Sequence, residues 1–133
     1  MSCLPQDVVD AIKEAEEETK DYDNYHLNIA IGYSGRSELV NAIQDICEKV
    51  NQGEIELEEI DEKIIEQHLY TSDLPDPDLI IRTSGEERLS GFLLWQSAYS
   101  ELYFCEAYWP EFDKINFFRA IYNYQGRERT YGR

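Results

Sequence analysis

The chain has 133 residues, of which 28 are acidic and 12 are basic, so its formal net charge at pH 7 is -16. This length fits a single domain with a moderate core, and a hydrophobic content of 42% is typical of a folded globular protein rather than a disordered one. A surface this negative repels phosphate backbones, which argues against a nucleic-acid-binding protein.

The first part of the chain predicts a helix, a strand and a second helix. Apolar residues at helical spacing follow Pro5 and predict an amphipathic helix whose acidic run, residues 14–18, faces water. The short apolar run 27–31, which precedes a glycine-rich turn, predicts a buried strand. A second apolar stripe predicts a helix that ends just before Gly53. The residues of this stripe are Leu39, Val40, Ile43, Ile46, Cys47 and Val50.

The middle of the chain predicts an acidic surface helix and a second strand. Residues 54–69 are strongly acidic, but Ile60, Ile64 and Leu69 mark one buried helical edge. The Leu-Pro-Asp-Pro sequence at 74–77 cannot continue a helix, because proline lacks an amide hydrogen and disfavours helical geometry in the residue before it. A rigid connector therefore leads into a strand at Leu79, Ile80 and Ile81.

The last part predicts a short buried helix over residues 92–99 and a third strand over residues 101–105. Asp113 is positioned to cap a final helix that ends near Gly126. We expect that helix to turn Phe117, Phe118 and Ile121 inward. The alternation of helices and short strands predicts an α/β fold with a mainly parallel sheet flanked by helices.

Arginine and serine residues follow the second predicted strand, where functional groups gather in parallel sheets. Residues 1–77 hold 20 acids and 5 bases, whereas residues 78–133 hold 8 acids and 7 bases, so an anionic ligand finds its cations in the second part. Arg82, Arg88 and Ser90 offer planar paired donors and a hydroxyl, which suit a diphosphate. Spacing alone leaves a second interpretation open, in which the arginines form structural ion pairs with Glu86, Glu87 or Glu101.

Glu101 begins the third predicted strand, and a carboxylate beside bound diphosphate could help to hold Mg²⁺. The alternative is an ordinary carboxylate that faces solvent at a strand edge. His26 and His68 have no partner at metal-ligand spacing, so we expect both to be structural or exposed.

Several protein classes lose support because their motifs are missing from the sequence. It has no phosphate-binding P-loop, dinucleotide-binding glycine motif, serine-hydrolase elbow or paired zinc-binding histidines. Its three cysteines have no paired spacing, and it shows no secretory leader or apolar run of about 18 residues. We therefore expect a cytoplasmic protein whose contact with membrane is peripheral at most.

The chain resembles the C-terminal half of the cis-prenyltransferase family, which includes undecaprenyl diphosphate synthases. The likeness is strongest in residues 76–86, Asp-Pro-Asp-Leu-Ile-Ile-Arg-Thr-Ser-Gly-Glu, and continues through residues 88–96 and 100–104. Supporting pieces are the strand and turn at 27–36 and the tail that follows Trp109 and Pro110. The resemblance thus covers nearly the whole chain, which we expect to form residues 1–133 of one incomplete domain.

This resemblance implies specific roles. Arg82, Arg88 and Ser90 would bind the diphosphate of isopentenyl diphosphate, and Glu101 would help to bind magnesium. The implied reaction joins isopentenyl diphosphate to an allylic diphosphate, such as farnesyl diphosphate, to make a cis-polyprenyl diphosphate lipid carrier. The resemblance also implies an apolar tunnel for the growing chain. We expect the chain to form a homodimer or to associate with a missing half, because an incomplete parallel sheet leaves an apolar edge that favours pairing.

The sequence departs from the family at its start. Family members begin with an Asp-Gly-Asn-Gly-Arg loop that handles the allylic diphosphate and metal, and these 133 residues do not contain it. Smaller departures are Gly91, where asparagine is frequent, and Thr130 in the tail. We expect the chain to be inactive alone; the alternatives are a non-catalytic partner subunit of a heteromeric enzyme and a bare diphosphate-binding module.

Overall fold

A computed structural model of the protein describes residues 4–127, so most of the basic tail, with Thr130, lies outside the described residues. The chain divides into two compact units, residues 1–33 and residues 34–133. The first unit contains helix α1, Gln6–Thr19, which begins directly after Pro5 and buries Val9. None of the helices formed by residues 4–127 is long and apolar enough to cross a lipid bilayer.

The strand predicted at residues 27–31 is absent from the described part of the chain. These residues form no regular element, and Leu27, Ile29 and Ile31 are 85%, 73% and 53% exposed. A strand is stabilised by hydrogen bonds to a partner strand, and among residues 4–127 this run is paired with none. The apolar run therefore has strand-like composition without strand pairing.

The second unit begins with α2, Gly35–Gln52, whose ends follow the sequence prediction. The side chain of Ser34 accepts a hydrogen bond from the amide of Ser37 at the first turn. Gly53 ends the helix in the left-handed conformation, with φ of 72°, and its amide donates to the carbonyls of Lys49 and Val50. The prediction of a helix that stops before Gly53 is confirmed.

The buried face of α2 differs from the predicted apolar stripe. Gly35, Glu38, Ala42 and Ile46 are buried, whereas Val40, Ile43 and Cys47 are exposed. Among the residues described, Ile46 is the one member of the stripe that is buried. The helix contacts the rest of the unit through the face that carries Gly35, Glu38 and Ala42 instead. The sequence pattern thus located the helix but misplaced its inner side.

The acidic segment 54–69 forms two short helices instead of one long helix. A 3-10 turn occupies Leu57–Glu59, and α3 occupies Glu62–Gln67. The break arises because Asp61 has extended backbone geometry and its carboxylate accepts a hydrogen bond from the amide of Ile64 at 2.9 Å. Leu69 is buried as predicted, and α3 contacts α2.

Two parallel strands form the sheet of the described chain. Strand β1, Leu79–Arg82, pairs with β2, Glu101–Phe104, and the register places Leu79 opposite Glu101 and Arg82 opposite Phe104. Helix α4, Lys114–Gln125, follows a 3-10 turn at Trp109–Glu111 and contacts β2. The predicted α/β class with a parallel sheet and flanking helices is confirmed.

Two further predictions about the last part of the chain are wrong. Residues 92–99 form successive turns rather than a helix, because Leu93 has φ of 45° and breaks the helical path. In α4, Asp113 caps the helix and Gly126 follows its end, as expected. The buried residue of α4, however, is Ala120, while Phe117 and Phe118 are exposed.

Candidate functional site

The loop after β1 is fixed by hydrogen bonds to the chain that follows β2. The amide of Ser84 donates to the carbonyl of Ala107, and the amide of Gly85 donates to the carbonyl of Cys105, both at 2.9 Å. Ser84 and Gly85 have φ of 75° and 71°, which turns the chain sharply at the carboxyl end of the sheet. Arg82, the last residue of β1, therefore starts a well-anchored loop.

The structure brings together Arg82, Arg88 and Ser90, the three residues predicted to bind diphosphate. Nη1 of Arg82 donates to Oγ of Ser90 at 2.9 Å and also to the carbonyl of Arg88. The guanidinium thus closes the loop of residues 83–89 on itself. The side chains of Arg82 and Ser90 therefore meet at this end of β1, and Arg88 joins them through its backbone carbonyl.

Arg88 forms an ion pair with Glu86 through Nη1 and Oε2. This is one of the structural ion pairs that the sequence left open. The two side chains are 65% and 41% exposed, so solvent screens the pair and its contribution to stability is small. An anion with more charge could replace the carboxylate of Glu86 without a large cost.

The backbone around Ser90 adopts conformations that few residues accept. Ser90 and Leu93 have φ of 51° and 45°, and Gly91 has φ of 82°. Left-handed geometry at a residue with a Cβ costs about 1–3 kcal/mol, and such costs concentrate at functional sites. The segment that carries the Ser90 hydroxyl is therefore held in a defined shape by its surroundings.

Glu101, the predicted metal ligand, does not join this cluster. It starts β2 opposite Leu79, whereas Arg82 lies three residues further along the parallel pair, at a rise of roughly 3.3 Å per residue. Its Oε2 accepts from Nη1 of Arg127 at 2.6 Å. Residues 4–127 contain no group of three histidine, cysteine or acidic side chains able to hold a metal ion. Mg²⁺ in phosphate-binding sites is held by one or two carboxylates together with substrate phosphates, so the role of Glu101 as a magnesium ligand stays a prediction.

The two histidines occupy different environments. His26 is exposed. The His68 side chain is buried, with Nδ1 2.6 Å from the carbonyl of Ile64 and Nε2 2.9 Å from Nζ of Lys49 and 3.4 Å from Oδ2 of Asp45. Both positions agree with the expectation of an exposed or structural histidine.

Sequence reasoning missed a buried polar network that joins α2 to the later loops. Glu38 is fully buried, and its Oε1 accepts from the amide of Tyr70 at 2.9 Å. Nε2 of Gln96 lies 3.3 Å from both carboxylate oxygens of Glu38 and donates to Oγ1 of Thr71 at 2.7 Å. The signal that could have found it is the 3-4-4 spacing of Gly35, Glu38, Ala42 and Ile46 along one helical face.

A polar cavity of about 260 Å³ lies beside this network. Its lining residues are Glu66, Leu69, Thr71, Ser72, Leu74, Pro75, Asp76 and Gln96. Burial raises the pKa of the Asp76 carboxyl above its ordinary value, and the negative charge of Glu66 raises it further. Two acids in the wall repel a diphosphate, so the cavity is not the candidate site.

Sequence relatives identify the family. The profile described as "Putative undecaprenyl diphosphate synthase" matches residues 1–132. The tritrans,polycis-undecaprenyl-diphosphate synthase (geranylgeranyl-diphosphate specific) of Thermoplasma volcanium is 57% identical over 133 residues, covering 100% of this chain and 52% of the relative. The synthase of the same name from Methanocaldococcus jannaschii is 56% identical over 135 residues, covering 100% of this chain and 48% of the relative. The chain spans about half the length of the curated relatives it matches.

Solved structures agree with the sequence relatives. Lavandulyl diphosphate synthase from Lavandula x intermedia, in complex with dimethylallyl diphosphate, matches with a TM-score of 0.94 and 39% identity, covering 99% of this chain and 57% of that chain. A probable undecaprenyl diphosphate synthase from Campylobacter jejuni matches with a TM-score of 0.77 and 38% identity, covering 99% and 59%. The resemblance seen in the sequence is thereby confirmed, and the chain belongs to the undecaprenyl diphosphate synthase family of cis-prenyltransferases.

Proposed function

We propose that this chain carries the isopentenyl diphosphate site of a cis-prenyltransferase, which joins isopentenyl diphosphate to an allylic diphosphate and makes a cis-polyprenyl diphosphate. The observation that carries the proposal is the 2.9 Å contact between Nη1 of Arg82 and Oγ of Ser90, with Arg88 on the same loop. Arg82 and Ser90 thus place a guanidinium and a hydroxyl together at the carboxyl end of a parallel strand, where ligands of α/β proteins bind, and Arg88 follows on the same loop.

Each residue of the cluster has a distinct part in holding the diphosphate. The guanidinium of Arg82 is already oriented by the loop, so it meets the ligand with little loss of side-chain entropy. Arg88 exchanges the carboxylate of Glu86 for a phosphate oxygen, which carries more charge. The hydroxyl of Ser90 then donates to a second oxygen of the ligand.

The proposed reaction needs no covalent bond to the enzyme. The allylic carbon–oxygen bond breaks and diphosphate leaves with the electron pair; the alkene of isopentenyl diphosphate bonds to the allylic carbon, and a proton leaves to form the cis double bond. The chain's own residues hold the five-carbon substrate in a fixed orientation toward the allylic carbon. The names of the Thermoplasma volcanium and Methanocaldococcus jannaschii relatives specify geranylgeranyl diphosphate, which supports that molecule as the allylic substrate instead of farnesyl diphosphate.

The 133 residues by themselves should bind isopentenyl diphosphate without extending an allylic chain. The family resemblance assigns the allylic diphosphate to an Asp-Gly-Asn-Gly-Arg loop, and that sequence does not occur among these residues. We therefore expect this chain to bind isopentenyl diphosphate but not to catalyse elongation, and the two properties can be measured independently.

Isothermal titration with isopentenyl diphosphate tests the site. We expect Arg82→Ala and Arg88→Ala each to weaken binding about ten- to a hundredfold, since each removes hydrogen bonds to a charged group worth about 1.5–3 kcal/mol. Arg119→Ala, a substitution at an exposed position of α4, is the matched control because it removes the same charge elsewhere. We expect it to bind like the unsubstituted chain.

Two results would contradict the proposal. Equal affinity in the Arg82, Arg88 and Arg119 variants would mean that binding reflects overall charge rather than this cluster. Absence of binding by the unsubstituted chain would reject the site itself. Incubation of the chain with isopentenyl and geranylgeranyl diphosphates and magnesium provides the second readout, and any elongated product would refute the proposed inactivity.

A further inference from the structure

The first residue of α2 contacts the segment that carries Ser90. The amide of Gly35 donates to the carbonyl of Gly91 at 2.8 Å, and Gly35 is buried. The first amides of a helix have no acceptor within the helix, so they need one from outside. Here the loop of the proposed diphosphate site supplies it, and helix and loop are thereby joined through their backbones.

This contact leaves no room for a side chain at position 35. A Cβ added to Gly35 would lie 2.6 Å from the carbonyl oxygen of Gly91, 3.0 Å from Cγ of Leu94 and 3.2 Å from the Leu94 amide nitrogen. Two of these three atoms belong to the backbone, which cannot rotate away as a side chain can. Any residue larger than glycine must therefore push residues 91–94 away from α2.

Such a displacement would reach the Ser90 hydroxyl directly. Ser90 and Gly91 are adjacent, and both have positive φ angles, 51° and 82°, a narrow region of backbone geometry that leaves the Ser90 position little freedom to adjust. Oγ of Ser90 lies 2.9 Å from Nη1 of Arg82, a distance that tolerates little movement. The far end of the segment is also tied to α2, through Gln96 and Glu38. Movement of the segment is therefore concentrated near Gly91 and Ser90.

We propose that Gly35 is a positioning residue for Ser90, because its missing side chain lets α2 hold the loop at the distance that diphosphate binding requires. The inference rests on the proposed isopentenyl diphosphate site. Helix α2, although it precedes residues 83–91 in the sequence, would thereby help to set the geometry of that loop.

Titration of the Gly35→Ala chain with isopentenyl diphosphate tests the inference. We expect binding about tenfold weaker than in the unsubstituted chain, the size of one hydrogen bond to a charged group. Ser37→Ala is the matched control, since it adds helix propensity in the same turn at an exposed position. We expect that control to bind normally.

A double-mutant cycle separates positioning from a general loss of structure. If Gly35 acts through Ser90, the Gly35→Ala change should cause no further loss of affinity in a Ser90→Ala background. If the double variant lost affinity by the product of the two single-variant losses, the two residues would act independently and the inference would be overturned. Normal affinity in the Gly35→Ala chain would overturn it as well. No binding by the unsubstituted chain would instead reject the proposed site, and the inference would fall with it.

A measurement on the unsubstituted chain covers the case in which Gly35→Ala does not fold. Amide hydrogen exchange is followed with and without isopentenyl diphosphate. Because the Gly35 amide donates to the loop, ligand binding should slow its exchange at least as much as that of Gly91. Slowing at residues 88–91 with an unchanged Gly35 amide would overturn the inference while leaving the proposed site intact.

Discussion

Glu38 places a carboxylate in the interior of the second unit, where donors replace the water it loses. The amide of Tyr70 and the side-chain amide of Gln96 both contact it, at 2.9 Å and 3.3 Å. A buried charge is costly unless such partners are present. One side chain thereby ties α2 to the segment after α3 and to the turns before β2.

Loss of this carboxylate should destabilise the fold. For Glu38→Ala we expect the free energy of unfolding to fall by about 1–3 kcal/mol, because the partly buried Tyr70 amide and the buried Gln96 side chain both lose this acceptor. Urea denaturation followed by circular dichroism measures the change. Glu48→Ala removes the same charge from an exposed position of α2 and should change stability by less than about 0.5 kcal/mol. Equal losses in the two variants would mean that the buried contacts contribute nothing.

Helix ends in this chain are set by local capping groups. Ser34, Asp61 and Asp113 each accept a hydrogen bond from an amide three residues later at the start of α2, α3 and α4. Gly53 ends α2 with a left-handed backbone. Such caps depend on one residue and its immediate neighbours, so each helix boundary can be tested by one substitution.

The two glycines that follow α2 and α4 provide a matched pair. Gly53 has φ of 72°, and an added Cβ meets no atom within 4 Å, so Gly53→Ala should cost about 1–2 kcal/mol through backbone geometry alone. Gly126 has φ of -83°, and an added Cβ makes only ordinary contacts of 3.6 Å and 3.8 Å. Gly126→Ala should therefore leave the urea midpoint nearly unchanged. A midpoint shift of the same size in both variants would contradict this account.

The elements that the sequence predicted correctly depend on local chemistry. Pro5, Gly53 and Asp113 mark helix ends through their own backbone or side chains, and Arg82 ends the apolar strand β1. The wrong predictions concern features that depend on distant partners. Residues 27–31 lack a neighbouring strand among those described, and the left-handed Leu93 is held by its surroundings rather than by its own preference.

The candidate site likewise combines features that the local sequence could predict with features that depend on distant segments. The sequence placed Arg82, Arg88 and Ser90 on one loop, and the structure shows the side chains of Arg82 and Ser90 in contact; their role in binding diphosphate stays a prediction. The separation of Glu101 from them follows from strand register, which places it opposite Leu79. Register is set by pairing between distant segments, so spacing along the chain could not reveal it.

At the scale of the whole molecule, many large apolar side chains face outward. Ile115, Phe118 and Tyr122 share the outer face of α4 and are 59%, 66% and 81% exposed. Contiguous apolar surface of this kind is typical of protein interaction sites. The homodimer expected from the sequence stays a prediction, and this face of α4 is a second place, besides the sheet edge, where it can be tested.

Self-association should be measurable by sedimentation. The unsubstituted chain, of 15.6 kDa, should sediment as a larger species, and Phe118→Glu should shift it toward the monomer because a charge cannot be buried unpaired in an apolar contact. Leu57→Glu is the control, since it removes an exposed apolar residue from the acidic segment before α3. A monomeric unsubstituted chain, or equal shifts in both variants, would contradict the role of the α4 face.

The ion pair between Arg127 and Glu101 connects the chain just beyond α4 to the first residue of β2, 26 residues earlier in the sequence. The Arg127 and Glu101 side chains are 40% and 22% exposed, so dissolved salt screens their attraction and weakens the ion pair. Raising the ionic strength should therefore weaken this contact between the end of α4 and β2, while the backbone hydrogen bonds of the parallel strands keep their register.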